Sequence, residues 1–168
     1  GVLAFVAVMY MRMRHARRRQ DELLPELRGT PNWTRIYISR PPHFARRFKL
    51  LSYEARGVLV DEGATVRVLG ELLRGGRIDH RYQKDTMNLR WLGNARLADG
   101  NLHWISIGHG ADALTFSADT GLNAAVSRDN TADIWRRIAP DLDLPQTARA
   151  EFALEKNRRS LYVIIAFF

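Results

Sequence analysis

Apolar positions along this chain change period three times, and each change marks a different kind of element. Residues 1–11, GVLAFVAVMYM, are an unbroken apolar run followed at once by Arg12, Arg14, His15, Arg17, Arg18 and Arg19. The closing run, SLYVIIAFF, is its mirror image, preceded by Lys156, Arg158 and Arg159. Either run alone falls short of the ~20 residues that cross a hydrocarbon core. Positive charge on the inner flank of both, however, is the pattern of membrane helices leaving into the cytoplasm. A secretory signal has its charges ahead of the apolar run, and a core strand gives no reason for five arginines stacked on one end. The expectation is two cut-off membrane helices, since the first residue is not Met and the last stands in mid-run.

Between them the period is mostly that of β-structure. Residues 20–28 continue as a short helical stretch that Pro25 kinks or restarts, and GTPNW breaks it. Residues 34–40 alternate as a strand, with Ile36 and Ile38 on one face and Tyr37 and Ser39 on the other, stopped by Pro41 and Pro42. Residues 48–60 read as one long or bent strand ending at Asp61-Glu62-Gly63. Residues 65–69 alternate with Val66 and Val68 inward, and Gly75-Gly76 turns the chain into Ile78, His80 and Tyr82. Met87, Leu89 and Trp91 share a face, Asp99-Gly100 predicts a hairpin, and Leu114 and Phe116 face inward on the last strand. The period then becomes helical: Asp129 or Asn130 as cap, Ile134, Trp135 and Ile138 as apolar stripe, Pro140 as stop. A second helix is expected from about residue 145 to Lys156. The implied division is a membrane-helix end over 1–11, a basic juxtamembrane segment with a short strand over 12–44 and a β-domain over 45–140. A linker helix over 141–159 and the start of a second membrane helix over 160–168 complete it.

The 168 residues suit one domain, and with 46% apolar and 26% charged residues the chain is of ordinary globular composition. There is no cysteine, which removes disulfides, thiolate metal sites and Cys nucleophiles. The net charge of +8 raises nucleic-acid binding, and its distribution argues against it. Net charge is +8 over residues 1–49, −2 over 50–145 and +2 over 146–168. The folded middle lacks the positive field that phosphate backbones require. Only Lys49, Lys84 and Lys156 of the 26 basic residues are lysines, an arginine bias expected of a GC-rich bacterial coding background.

Candidate chemistry is sparse. His103 and His109 face the same way on a straight strand but lie about 20 Å apart, too far to share an ion with Asp112. Ser106, His109 and Asp112 lack a nucleophile elbow. Asp61, Glu62 and Glu71 read as solvated edge charges, and GELLRGG lacks a phosphate-loop lysine. Trp91 and Trp104 belong to inward faces. No catalytic residue, metal or cofactor is assigned. Two sets remain. Arg12, Arg14, Arg17, Arg18, Arg19, Lys156, Arg158 and Arg159 form a membrane-surface set. Phe44, Arg46, Arg47, Phe48 and Lys49 form a basic-aromatic mixture that either lies on lipid head groups or is a strand with its aromatics in the core.

The segments GVLVDEG, LRWLG, LHWISIG and DIWRRIAP set out about seven short antiparallel strands and a Trp-bearing capping helix. In element order this resembles the pleckstrin-homology-like (PH-like) domains that some bacterial membrane proteins carry beside their membrane helices. The resemblance implies a mainly β, α+β fold: a small antiparallel barrel or sandwich with a C-terminal capping helix. Phosphoinositide-binding members place Lys and Arg around the loop after the first strand. With the first strand at 48–60, that loop here is Asp61-Glu62-Gly63, which repels phosphate. The expected role is a cytoplasmic, membrane-tethered protein-binding or regulatory module of a polytopic inner-membrane protein. Its partners would be the bilayer and another protein or part of the same assembly, with no nucleic acid. The alternative is the soluble domain of a membrane enzyme or transporter whose active residues lie in missing segments.

Overall fold

A computed structural model describes residues 1–47, 49, 51–94, 102–120 and 124–145. Helix α1 (Val2–Glu22) runs without a break through the apolar run and the arginine cluster, and a 3-10 turn at Leu24–Leu27 restarts the chain at Pro25. The strands are β1 (Trp33–Ser39), β2 (Ala55–Asp61), β3 (Thr65–Leu72), β4 (Arg77–Gln83), β5 (Leu89–Gly93), β6 (Trp104–Ile107) and β7 (Leu114–Ala118). A four-residue helix α2 (Pro41–Phe44) follows β1, and α3 (Ala124–Ile138) follows β7.

The seven strands form one sheet in the order β4-β3-β2-β1-β7-β6-β5, and every pairing is antiparallel. The sheet is curled into a half-barrel, because Ile78 and Tyr82 from one edge strand and Trp91 from the other enter the same core as Ile36, Ile38 and Phe116 from the middle. Two glycines permit that closeness. Gly57 and Gly70 oppose each other on β2 and β3. A Cβ on Gly57 would stand 2.1 Å from the Leu69 carbonyl oxygen and 2.7 Å from the Gly70 Cα. The Ile38 side chain fills the space that both leave.

Helix α3 closes the core with Ile134, Trp135 and Ile138, the predicted stripe. It is joined to the sheet by hydrogen bonds as well. Ser127 Oγ accepts the His103 N–H at 3.0 Å, and Thr131 Oγ1 accepts the Ala118 N–H at 3.1 Å. These satisfy two buried backbone amides, one just ahead of β6 and one at the end of β7.

The outer face of the sheet carries two smaller cores. Leu23 and Leu27 cover Val58, Val60 and Leu69, while Tyr37, Tyr53, Leu102 and Trp104 pack with Phe44 and Leu51 from the β1–β2 connection. Strand β1 is therefore buried on both faces, with Ile36 and Ile38 inside and Tyr37 and Ser39 outside.

Three expectations are corrected. The strand expected over 48–60 is only Ala55–Asp61, because the apolar residues before it serve the outer core as a connection and not a ladder. The strand at Trp33–Ser39, expected ahead of the β-domain, lies in mid-sheet. Asp129 and Asn130 do not cap α3 but sit inside it. The Asp99-Gly100 hairpin, the helix beyond residue 145, the closing apolar run, Lys156, Arg158, Arg159 and Phe48 lie outside the described residues. Among the described residues no helix is long and apolar enough to cross a membrane. Val2, Leu3, Phe5, Val6, Val8, Tyr10 and Met11 on the first turns of α1 are all exposed.

Trp135 is 2% exposed, meets Trp91 edge-on at 6.5 Å and donates its indole N–H to the Leu142 carbonyl at 3.1 Å. Trp135→Ala should therefore cost about 3 to 5 kcal/mol in urea unfolding. A loss below about 1 kcal/mol would mean that this ring does not hold α3 on the barrel.

Candidate functional site

Antiparallel connections alternate between the two ends of a barrel, so the β1–β2, β3–β4 and β6–β7 connections share one end. There they surround an open cleft of about 1240 Å³, and Met11, Arg12 and His15 of α1 form its remaining wall. The cleft is basic: Arg12, Arg40, Arg46, Lys49 and Arg74 line it, with His15, His43 and His80. Among the described lining residues Glu54 is the one carboxylate, and it is already engaged. Arg40 donates to it from Nε at 2.7 Å, from a second guanidinium nitrogen at 3.2 Å and from its backbone N–H at 2.8 Å. Burial alone would raise the Glu54 pKa, but the Arg40 contacts outweigh it and hold the carboxyl below its ordinary value. Lys49 stands over the Phe44 ring at 4.8 Å and donates to the Phe44 carbonyl. Among the described residues no carboxylate pairs with Arg12, Arg46 or Arg74.

A polar joint fixes α1 beside this cleft. Asp119, with its side chain 4% exposed, takes Arg17 of α1 at 3.1 Å and has the Arg56 Nε of β2 at 3.6 Å. Arg56 also donates to the Met13 carbonyl of α1 at 3.3 Å and to the Tyr37 hydroxyl at 3.0 Å. Burial, and next the Asp119 charge, push Tyr37 up to about 12, so it stays a neutral phenol. One turn on, the fully buried Gln20 donates to the Gly57 carbonyl at 2.8 Å.

The sequence-derived candidates divide accordingly. Arg12 lines the cleft, whereas Arg14 and Arg18 are exposed elsewhere on α1. Arg17 and Arg19 turn toward the barrel, Arg19 lying 3.7 Å from Glu71. Arg46 and Lys49 line the cleft, and Arg47 is exposed outside it. Phe44 packs edge-on against Trp104 at 5.5 Å, as a core aromatic does. Arg40, Arg74 and His80 were missed. Only strand pairing brings them together, and the one local sign was Arg74 at the tip of the Gly75-Gly76 hairpin.

The loop after the first strand is corrected as well. With β1 at Trp33–Ser39 it is the basic 40–54 segment, and Asp61-Glu62-Gly63 belongs to the β2–β3 hairpin at the other end. There Asp61 pairs with Lys84 at 2.7 Å and accepts the Gly63 N–H at 3.0 Å. His103 is buried ahead of β6 and His109 exposed beyond its other end, which separates the only paired histidines of the sequence reading. Among the described residues no group of three or more His, Asp or Glu is placed to hold a metal.

Compared with known proteins, the chain matches no family model, no curated protein and no solved structure.

His43 gives the cleft a pH signature. Its Nδ1 lies 2.7 Å from Ser39 Oγ, and burial holds its pKa below the ordinary 6.5, with Lys49, Arg46 and Arg74 adding to the effect against Glu54. The unfolded chain binds that proton more readily, so this contribution to stability is complete above about pH 6.5 and is lost as pH falls below it. Urea midpoints at pH 7, 6 and 5 should fall more steeply for the native sequence than for His43→Gln. Parallel slopes would contradict a neutral, half-buried His43.

Proposed function

We propose that this chain is a membrane-tethered, PH-like regulatory module of a polytopic bacterial inner-membrane protein, lying on the cytoplasmic side and taking an anionic lipid head group into the basic cleft. The observation that carries the reading is the position of the cleft. Its cations gather at the end of the barrel reached by α1, next to the exposed apolar turns that end at Met11. On this reading the exposed apolar turns of residues 1–11 enter the bilayer, and Arg14 and Arg18 add to the attraction. Seven antiparallel strands followed by a Trp-bearing helix support the PH-like assignment, which rests on element order alone.

Relative to the expectation from sequence, the first ligand moves from a protein partner to the bilayer. The acidic hairpin that argued against phosphate is at the far end, and the loop at the cleft is basic. Each Lys or Arg near an anionic surface contributes about 1 kcal/mol, so the cleft supplies enough to orient the domain.

Charge reversal separates the cleft from general basicity. Partition of the whole chain onto phosphatidylglycerol-containing vesicles, taken relative to neutral phosphatidylcholine vesicles, should fall about tenfold or more in Arg46→Glu/Arg74→Glu. It should change little in Arg136→Glu/Arg137→Glu, which alters α3 where Arg137 meets Thr34 at the other end of β1. Equal losses in the two variants would overturn the cleft as the binding site.

A further inference from the structure

The cleft has two walls of different kinds. One is the barrel, contributing Arg46, Lys49 and Arg74; the other is helix α1, contributing Arg12 and His15. Resting on the reading of the cleft as an anion site, we propose that its ligand bridges both walls, so that ligand binding and the seating of α1 on the barrel strengthen each other.

The way α1 is held makes this coupling physical. Only Ala16 and Gln20 of the helix are buried, and its seat is made largely of polar contacts: Arg17 to Asp119, Arg56 to the Met13 carbonyl and Gln20 to the Gly57 carbonyl. Within α1 only Ala16 adds apolar burial to this seat, so one further interaction at the cleft is a sizeable part of what holds the helix. At the cleft the two walls carry like charge, which opposes the seat. An anion between them reverses the sign of that interaction, because Arg12 and the barrel cations then share one counter-charge. Linkage makes the effect reciprocal: whatever factor the seated helix adds to ligand affinity, the ligand adds to the seating of the helix. Since α1 is one unbroken helix from Val2 to Glu22, a change in its seat moves the apolar turns as well. The cleft thus reports its occupancy along α1, which is the regulatory output of the module.

The ligand chemistry is phosphate, from a lipid head group or from solution. Because the chain has no cysteine, two labels can be placed cleanly. Arg14→Cys is exposed on α1 and Asp133→Cys exposed on α3. Spin-label distance distributions would be recorded on the whole chain in nanodiscs of neutral lipid, of neutral lipid with added inorganic pyrophosphate, and of phosphatidylglycerol. Calorimetry would follow pyrophosphate binding in parallel. The expected result is a distribution that narrows with the anion. Arg12→Glu/His15→Glu should abolish the narrowing and weaken pyrophosphate about tenfold. Narrowing by phosphatidylglycerol alone identifies the lipid head group as the source, and narrowing by pyrophosphate alone identifies free phosphate. Binding that is lost in Arg46→Glu/Arg74→Glu but unchanged in Arg12→Glu/His15→Glu, with no narrowing, would overturn the coupling and leave the cleft reading intact. Failure of the native sequence to bind either anion would overturn both.

Discussion

The carboxylate of Asp119 is where the helix and the barrel become one object. A buried carboxylate left unpaired is strongly destabilising, so its two guanidinium neighbours must stay in place. One of them, Arg17, belongs to α1; the other, Arg56, belongs to β2 and reaches back to the Met13 carbonyl. Asp119 itself follows β7, where its N–H bonds to the Arg35 carbonyl of β1. Three strands and the helix thus meet at one charge, and the position of Met11, Arg12 and His15 over the cleft follows from it.

The opposite side of the cleft depends on the curl of the sheet. If Gly57 and Gly70 carried side chains, Ile38 could not fill the space between β2 and β3. The β3–β4 hairpin bearing Arg74 would then stand away from the 40–54 connection. Core packing therefore positions the barrel cations, while a polar joint positions the helical ones. The two walls are therefore held by interactions of different kinds.

Much of the fold was legible from period. Val66 and Val68, Leu114 and Phe116, and the stripe of Ile134, Trp135 and Ile138 all face the core as the alternation implied. The reading failed where apolar residues serve something other than a ladder. Leu51 and Tyr53 precede β2 and looked like its continuation, but they pack on the outer face with Tyr37 and Trp104. Asp129 and Asn130 looked like caps, yet the helix already runs through them, and Ser127 and Thr131 beside them accept the His103 and Ala118 amides. The first of these errors extended the strand back to residue 48, and with it changed the identity of the first loop. The cleft was hidden for a simpler reason. Arg12, Arg40, Arg46 and Arg74 are distant in sequence, and a count of charge along the chain places three of them in a general basic flank.

The seat of α1 on the barrel is open to direct measurement by amide hydrogen exchange on the whole chain. In the native sequence, amides of residues 13–22 should be protected beyond what an isolated helix shows. Asp119→Ala should release that protection while the amides of β2 and β3 remain slow. If residues 13–22 exchange equally in the two proteins, the helix is not held by Asp119, and the two-walled cleft loses its foundation.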